Sequence, residues 1–265
     1  MGNIRVAVQG VTGRMGTEVI NVLCKDPGLS PVGAVQRSSK DTLFSLPDGL
    51  GEIPMSTDIV DILKNTNPQV LVDFTNADVL VRTAPIIAAH GINIVTGTSG
   101  LNDRDLGSLD ELAIKHGIGV VVAPNFALGA AVLQYLAAQA AEYFDYVDLI
   151  EMHHERKIDS PSGTALAIAK AISEKKTFDR NIPEKETLTG TRGGDYNGVS
   201  IHSVRSPGTS ANHEIIFSAA GQTLILRHDT IGRECYMPGV TMAIRHVMEN
   251  NGLVVGLDKI LRLGT

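Results

Sequence analysis

Short apolar runs alternate with amphipathic stretches over the first half of the chain, and this alternation limits the fold more than any other feature of the sequence. The apolar runs have the length of buried strands, and the stretches between them place apolar residues at helical spacing. Strand–helix–strand order at this pitch requires parallel strands joined by right-handed crossovers. The sequence therefore predicts a Rossmann-type, doubly wound α/β domain. The predicted strands are Ile4–Val8, Pro31–Val35, Val70–Phe74, Ile92–Thr96 and Gly119–Ala123, and the predicted helices are Arg14–Cys24, Ile59–Leu63, Val79–His90 and Asp103–His116.

The pattern changes after Pro124. An Ala-rich helix is predicted over Ala127–Phe144, and a strand over Tyr146–His153 follows it. Later runs alternate apolar and polar residues with a period of two, which is typical of strands with one covered face. These features predict a second, smaller α+β domain with a mostly antiparallel sheet. The later strands are Val199–Arg205, Glu214–Ala219 and Thr223–Asp229, and further helices are predicted over Leu166–Lys175 and Val240–Asn250.

A glycine-rich loop stands between the first predicted strand and the first predicted helix. Its residues are Gly10, Val11, Thr12, Gly13, Arg14, Met15 and Gly16. A dinucleotide pyrophosphate binds at such a helix N-terminus, where free N–H groups and the helix dipole favour negative charge. The spacing is G-x-x-G-x-x-G rather than the strict dinucleotide pattern, so a tight turn without a ligand stays an alternative. No G-K-[ST] follows, which excludes a P-loop.

Three further segments follow predicted strands, at the edge where open α/β sheets bind ligands. After the second strand, Gln36 and Arg37 stand where an acidic residue would bind the ribose of NAD and an arginine would accept the 2′-phosphate of NADP. We therefore expect Arg37 to favour NADPH, with a solvated loop as the alternative. The other two segments are predicted to hold the nicotinamide, although each could also be an ordinary turn. They are Gly97, Thr98 and Ser99 after one strand, and Ala123, Pro124, Asn125 and Phe126 after the next.

The segment from 151 to 165 has the highest density of chemically active side chains, and it runs from a strand end through a loop into a helix. His153 and His154 are adjacent, so on extended backbone they point to opposite sides, and only one can readily act as an acid–base. Lys157 could donate a proton or pair with a substrate carboxylate. The predicted helix start offers a second anion site, made of Ser162, Gly163 and Thr164.

Two other interpretations of this segment are open: a surface loop whose charges pair with each other, and a metal site. Glu151, Glu155 and Asp159 could join the two histidines as ligands, but the H-E-x-x-H spacing that places two histidines on one helix face is missing. We therefore expect no metal. Neither Cys24 nor Cys235 has a Cys–His signature. The remaining histidines are isolated and are assigned no catalytic role: His90, His116, His202, His213, His228 and His246.

The composition narrows the possible partners. Asp and Glu number 29 against 23 Lys and Arg, and this net charge of −6 without a basic cluster argues against nucleic acid. The apolar stretches are far shorter than the ~20 residues that cross a membrane, and the first strand begins too early for a signal peptide. Two cysteines cannot form a disulfide framework, so we expect a cytoplasmic protein.

The glycine loop combined with the motif E-x-H-H-x-x-K-x-D-x-P-S-G-T-A resembles the 4-hydroxy-tetrahydrodipicolinate reductase (dihydrodipicolinate reductase) family over essentially the whole chain. The resemblance implies NAD(P)H-dependent reduction of 4-hydroxy-tetrahydrodipicolinate to tetrahydrodipicolinate, with loss of water, in lysine and diaminopimelate biosynthesis. The His-His-Lys motif is far more specific than the glycine loop. The matching motifs are GVTGRMG at 10–16, VDFT at 72–75, GTSG at 97–100, APNF at 123–126 and EMHHERKIDSPSGTA at 151–165.

The resemblance also implies roles for individual residues. His153 would be the proton donor and acceptor, Lys157 a proton donor, and His154 a substrate-binding residue together with Gly163 and Thr164. It implies a homotetramer in which residues 1–124 and 234–265 form the dinucleotide-binding domain and 125–233 the substrate-binding and oligomerisation domain. Many relatives place an acidic residue where Gln36 stands, so its absence favours NADPH over NADH without forbidding NADH.

Three other functions compete with this interpretation. A dinucleotide-sensing protein would keep the cofactor fold, but it need not keep the proton donors His153 and Lys157. Another nicotinamide dehydrogenase, acting on a related amino-acid intermediate, would share the glycine loop but would not require the His-His-Lys segment. A metal-dependent hydrolase is the most distant candidate.

Overall fold

The computed structural model describes residues 2–47, 49 and 51–263, and these residues form two compact units. The first unit runs to Ala127 and includes Tyr236–Arg262, whereas the second comprises Leu128–Cys235 together with Leu263. These bounds differ by a few residues from the predicted domains 1–124 with 234–265 and 125–233, which stay a prediction. Five residues of those predicted domains lie outside the described part: Met1, Asp48, Leu50, Gly264 and Thr265.

The first unit is built on a sheet with eight strands in the described residues, in the order β13-β7-β6-β5-β1-β2-β4-β3. All pairings are parallel except the antiparallel pair β3–β4 at one edge. The strands are β1 Ile4–Gln9, β2 Leu29–Val35, β3 Leu43–Ser45, β4 Glu52–Ser56, β5 Val70–Asp73, β6 Asn93–Thr96, β7 Gly119–Val122 and β13 Gly252–Val255. The helices are α1 Arg14–Lys25, α2 Ile59–Thr66, α3 Ala77–Ala89, α4 Asp103–His116, α7 Met237–Glu249 and α8 Leu257–Leu261.

The central strands of this sheet are largely apolar because helices cover both of their faces. One face packs against α2, α3 and α4, and α1 and α7 contact strands of the same sheet. The predicted doubly wound domain is confirmed. The sequence patterns missed β3 and β4, which are short, and Pro54 interrupts the apolar alternation of β4.

The order of strands reverses at β1, which lies between β2 on one side and β5 on the other. Helix crossovers leave β1 and β5 in opposite directions, so a crevice opens beyond their carboxyl ends. Gln9 ends β1 and pairs in register with Asp73, which ends β5. The glycine loop begins at this point, which is the expected place for a ligand in an open α/β sheet.

The second unit holds a mixed sheet with five strands in the described residues, in the order β12-β11-β8-β10-β9. Only β8 and β10 pair in parallel, so the predicted mostly antiparallel sheet is confirmed. The strands are β8 Tyr146–His153, β9 Gly194–Tyr196, β10 Val199–Arg205, β11 Ala211–Ala219 and β12 Gln222–His228. The α-helices are α5 Leu128–Ala140 and α6 Gly163–Ser173, and 3₁₀ helices cover Ala141–Tyr143 and Arg233–Tyr236.

Two helix boundaries in this unit differ from the prediction. The Ala-rich helix ends at Ala140 and tightens into a 3₁₀ turn, short of the predicted Phe144. Helix α6 begins at Gly163, as predicted, because the Ser162 side chain accepts a hydrogen bond from the Ala165 amide and caps the helix there, but it ends at Ser173 rather than at the predicted Lys175.

Strand β8 places alternate residues on the face that packs under α5 and α6. Val147 and Leu149 belong to the apolar core on that face. Glu151 and His153 continue the same alternation and are also buried, although they are polar. The strand therefore delivers a carboxylate and an imidazole to the end of the core. None of the described helices is long and apolar enough to cross a membrane.

Candidate functional site

The glycine loop of the first unit turns sharply between β1 and α1. Gly10 has a φ of +84°, which favours glycine, and its amide donates to the Val35 carbonyl at 2.8 Å. A Cβ on Gly16 would lie 2.8 Å from the Val11 Cα, so only glycine allows the helix to pack this close to the strand. No side chain caps the start of α1. The amides of its first turn are therefore free to bind an anion.

A groove of about 850 Å³ opens beside this loop. Gly10, Thr12 and Gly13 line it, whereas the Val11 side chain is fully buried. Gln36 and Arg37 line the same groove from the end of β2, and Arg37 has no hydrogen-bond or ion-pair partner among the described residues. The groove thus joins the first-turn amides of α1 to an arginine, and both groups can meet the negative charge of a dinucleotide. Arg14 and Met15 begin α1 and are not among the residues that line the groove.

The Gln9 side chain adds a second indication that this groove holds a polar ligand. Gln9 lines the groove and is only 3% exposed. Its Oε1 atom is buried without a hydrogen-bond partner in the described part of the chain. A buried carbonyl oxygen without a partner is costly, so a donor on a bound ligand would stabilise it. The residues present therefore fit a nicotinamide dinucleotide.

Asp73, at the end of β5, is fully buried and accepts hydrogen bonds from three threonine hydroxyls. The donors are Thr75 at 2.6 Å, Thr98 at 2.7 Å and Thr96 at 3.1 Å. Burial raises the pKa of Asp73, and the hydroxyl hydrogen bonds offset only part of the rise. The Thr98 hydroxyl donates to Asp73 and the Thr98 amide donates to Thr96 Oγ1 at 3.1 Å, so this predicted cofactor residue can offer a ligand only acceptor oxygens.

The two loops predicted to hold the nicotinamide follow the neighbouring strands β6 and β7. The Gly97 amide donates to the Asp73 carbonyl at 3.0 Å, and Ser99 is exposed. In the second loop Pro124 is exposed, and Asn125 accepts from the Ala127 amide at 2.9 Å. The Ala123 amide donates to the Thr96 carbonyl at 3.0 Å, which ties the second loop to β6. Phe126 is buried with its ring 5.8 Å from that of Phe74.

In the second unit, His153 forms a buried hydrogen-bonded chain with Glu151 and Arg205. His153 Nδ1 lies 2.5 Å from Glu151 Oε2, and Glu151 is fully buried. Both oxygens of Glu151 accept from Arg205, at 2.8 Å and 3.0 Å. Arg205 stands opposite His153 in the parallel pair of β8 and β10. The register of these strands therefore brings a cation, an anion and an imidazole together.

The pKa directions in this chain follow from its partners. Burial alone would raise the pKa of Glu151, but the hydrogen bonds, chiefly those from Arg205, hold it below its usual range. Burial lowers the pKa of His153, and the Glu151 carboxylate opposes this only partly. An ionised carboxylate can only accept, so His153 Nδ1 must donate and Nε2 is left for another proton. The arrangement can therefore accept and return a proton at Nε2.

His213 is a neighbour that no sequence pattern assigned to the site. Its ring lies 5.6 Å from that of His153 in an edge-on arrangement, and its Nε2 is 3.3 Å from the Ser162 hydroxyl. Burial lowers the pKa of His213 to about 4, so it is neutral at pH 7. Ser162 also caps α6, so its hydroxyl already serves two partners within the protein.

Lys157 and His154 belong to the loop after β8. Lys157 Nζ donates to Asp159 at 2.7 Å, and this hydrogen bond lowers the pKa of the Asp159 carboxyl. The Lys157 amide donates to the His154 carbonyl at 3.1 Å. His154 Nδ1 is buried and has no partner among the residues described. Gly163 is exposed and Thr164 half-buried at the start of α6, and a main-chain hydrogen bond from Gly163 to Asp159 also lowers the pKa of that carboxyl.

Within the described residues, no group of three or more His, Cys, Asp or Glu side chains is placed to hold a metal ion. The acidic residues named earlier as possible ligands have other partners. Glu151 pairs with Arg205, Glu155 with Arg156, and Asp159 with Lys157.

Two family models cover almost the whole chain. The model described as dihydrodipicolinate reductase, N-terminus, matches residues 4–126, and the one described as dihydrodipicolinate reductase, C-terminus, matches residues 129–261. The 4-hydroxy-tetrahydrodipicolinate reductase of Dehalococcoides mccartyi strain 195 is 46% identical over 99% of this chain and 100% of its own. The reductase of the same name from Bacillus licheniformis is 40% identical over 97% of this chain and 98% of its own.

A solved structure gives the same result. Dipicolinate-bound dihydrodipicolinate reductase from Paenisporosarcina sp. TG-14 is 37% identical and superposes with a TM-score of 0.86. The match covers 97% of this chain and 99% of that one. The chain therefore belongs to the dihydrodipicolinate reductase family of nicotinamide-dependent oxidoreductases.

Proposed function

We propose that this protein reduces 4-hydroxy-tetrahydrodipicolinate to tetrahydrodipicolinate in lysine and diaminopimelate biosynthesis. The full-length similarity to reductases of that name supports the substrate. The buried chain from Arg205 through Glu151 to His153 is the structural observation that carries the chemistry. Replacing the hydroxyl by a hydride and releasing it as water consumes one proton besides the reduced cofactor. The site must therefore supply protons, and His153 and Lys157 are the residues suited to this.

The catalytic roles follow from the partners of each side chain. His153 would give and take a proton at Nε2, since its Nδ1 donates to Glu151. Lys157 would donate a proton to the departing hydroxyl, with Asp159 holding its ammonium in place. When bound, the nicotinamide supplies the hydride.

The substrate carboxylates would bind at the start of α6 and near His154. The main-chain amides of Gly163 and Thr164 are suited to a carboxylate because they lie in the first turn of the helix. Ser162 is expected to act mainly by capping that turn, since its hydroxyl is already hydrogen-bonded to the Ala165 amide and His213. The dipicolinate named with the Paenisporosarcina relative is also a dicarboxylate, which supports this substrate class.

The cofactor would be NADPH in preference to NADH. Gly10 to Met15 would hold the pyrophosphate, and Arg37 the 2′-phosphate. Gln36 cannot bind the ribose hydroxyls as a carboxylate does, and Arg37 borders the groove without another partner in the described residues. The loops at 97–99 and 123–126 would hold the nicotinamide, with Thr98 contributing acceptor oxygens.

The assembly would be a cytoplasmic homotetramer formed through the second unit. Helices α5 and α6 pack against one face of its sheet, and the other face carries exposed apolar side chains at Tyr146, Val204 and Ile225. Such a face is suited to another copy of the chain. Cys24 and Cys235 are not joined in a disulfide, which supports a reducing compartment.

A coupled assay tests the proposed reaction. Aspartate semialdehyde and pyruvate are supplied with the upstream synthase, and oxidation of NADPH or NADH is followed by absorbance. We expect oxidation that depends on both substrates and on the synthase, faster with NADPH. If neither cofactor is oxidised while the synthase product accumulates, the proposed function is wrong.

A further inference from the structure

Glu151 and Arg205 complete the hydrogen-bonded chain behind His153, and neither of them exchanges a proton in the reaction proposed above. Glu151 is fully buried, and a buried carboxylate is costly unless it is paired and hydrogen-bonded. Arg205 occupies both carboxylate oxygens through a two-pronged contact. Glu151 Oε2 also faces His153 Nδ1. The carboxylate is thus fixed by the arginine and presents one oxygen to the imidazole.

Arg205 also reaches the loop that carries Lys157. Its Nη2 atom donates to the main-chain carbonyl of Asp159 at 2.7 Å. Asp159 in turn accepts from Lys157 Nζ through its side chain. One guanidinium therefore connects the carboxylate behind His153 with the residue that holds Lys157.

We propose that Glu151 and Arg205 are positioning residues for the reductase reaction: Glu151 holds His153 as the Nδ1–H tautomer with Nε2 free, and Arg205 fixes Glu151 and the Lys157 loop together. This inference rests on the proposed role of His153 as the acid–base. A buried carboxylate that accepts a hydrogen bond from an imidazole fixes the orientation of the ring. A carboxylate in this place selects the tautomer and stabilises the imidazolium that forms during proton transfer.

The charged and titratable groups around His153 determine the direction of the expected pH effect. Glu151 stabilises the imidazolium, Lys157 and Arg205 destabilise it, and neutral His213 packs on its edge. Replacing Glu151 by glutamine removes the only stabilising charge among these groups. The pKa of His153 then falls, so activity that needs the protonated imidazole is lost at a lower pH than in the wild type.

The experiment compares Glu151→Gln with Glu155→Gln in the full-length protein, using the coupled assay over a range of pH. Glu155 is exposed and pairs with Arg156, so its variant makes the same charge change away from His153. We expect Glu151→Gln to lower kcat about 10²-fold and to change KM less than about threefold. The alkaline limb of its pH–rate profile, where activity falls as pH rises, should move to lower pH. Glu155→Gln should keep kcat within about twofold and the limb in place.

A double variant separates this inference from the proposed function. If His153→Gln keeps wild-type kcat, the proposed role of His153 fails, and the inference with it. If His153→Gln is impaired, Glu151→Gln added to it should cost less than about twofold more, because the carboxylate acts through the imidazole. Two results would overturn the inference and leave the proposed function standing. One is a loss of kcat on adding Glu151→Gln to His153→Gln that equals the loss in the wild-type background. The other is an unchanged kcat and an unchanged alkaline limb of the pH–rate profile in Glu151→Gln alone.

The conservative variant Glu151→Asp covers the case in which Glu151→Gln does not fold. It keeps the charge but withdraws the carboxylate by one methylene. We expect kcat to fall at least about tenfold while the alkaline limb stays near its wild-type pH. A wild-type kcat in a folded Glu151→Asp protein contradicts the positioning role.

Discussion

Asp73 of the first unit and Glu151 of the second are both fully buried carboxylates at or near a strand end, yet their pKa values are displaced in opposite directions. Asp73 is surrounded by threonine hydroxyls, and burial raises its pKa. Glu151 is paired with Arg205 and His153, and these partners lower its pKa. A buried carboxylate therefore takes its chemical character from its partners rather than from burial itself.

The same difference separates the two candidate sites. The groove of the first unit offers the glycine-loop main chain and the side chains of Arg37 and Arg82 to a ligand, whereas the second site is a set of charged side chains paired with one another. Side-chain substitutions in the second site should therefore lower the reaction rate. Side-chain substitutions in the first should mainly change the binding of the cofactor. The largest difference between the two sites is expected in reaction rate, followed by stability, cofactor binding and pH dependence.

The largest effect is expected for Lys157→Ala. Loss of a general acid typically costs about 10²- to 10⁴-fold, so we expect kcat to fall about 10³-fold in the coupled assay. Affinity for NADPH should be unchanged, because no residue of the first unit is altered. Lys170→Ala is the matched control, since Lys170 is exposed and pairs with Glu174. Near-normal rates in Lys157→Ala would remove this residue from the mechanism.

Replacing Glu151 or Asp73 by its neutral amide isostere should lower the free energy of unfolding by different amounts. Glu151→Gln leaves the Arg205 charge unmatched in a mostly buried place, and we expect the free energy of unfolding to fall by about 3 kcal/mol. Asp73→Asn keeps hydrogen-bonding groups beside neutral hydroxyls, so we expect a fall of about 1 kcal/mol. Urea denaturation at pH 7 measures both. Equal costs would contradict the distinction between charged and neutral partners.

A smaller effect is expected for Arg37→Ala at the cofactor groove. A charge-assisted contact to a 2′-phosphate would be lost, so KM for NADPH should rise roughly tenfold. KM for NADH should change less than about twofold, because NADH has no such phosphate. Arg104→Ala, on the exposed start of α4, removes the same charge away from the groove. Equal losses for both cofactors would count against a 2′-phosphate contact.

The smallest effect concerns pH, and its sign differs between the two carboxylates. The folded-state pKa of Glu151 lies below 4.5, so its stabilisation is present above pH 4.5 and is lost as pH falls through the folded pKa. The folded-state pKa of Asp73 lies above 3.8, so its favourable contribution is present below pH 3.8 and is lost as pH rises through the folded pKa.

The cost of each isostere should follow these signs. On acidification, the cost of Glu151→Gln should shrink and that of Asp73→Asn should grow. Denaturation curves at neutral and acidic pH measure both trends. If the costs of the two substitutions change in the same direction with pH, the partners of Glu151 and Asp73 do not control the ionisation of these carboxylates.

The first unit could be predicted in more detail than the second because its information is local in sequence. The glycine loop, the strand before it and the helix after it are contiguous, so one pattern predicted all three. Strand β3 was missed because three residues are too few for a periodic pattern, and β4 was missed because Pro54 lies within it.

The second site depends on strand register, which the sequence pattern does not contain. Arg205 and His213 reach β8 only through the parallel pairing with β10 and the antiparallel pairing with β11. Glu151 did carry a local signal, since it stands two residues before His153 on one strand and must share its face. That signal indicated a possible metal ligand, whereas the structure gives Glu151 an arginine and an imidazole as partners.

The most direct test of this account is the protonation of His153, observed by ¹⁵N NMR of histidine-labelled protein at neutral pH, with His153→Gln identifying the signal. We predict the neutral Nδ1–H tautomer with an unprotonated Nε2, since the Glu151 carboxylate accepts from Nδ1. Glu151→Gln should lose that preference. Finding the Nε2–H tautomer in the wild-type protein would contradict the claim that Glu151 prepares His153 for proton transfer.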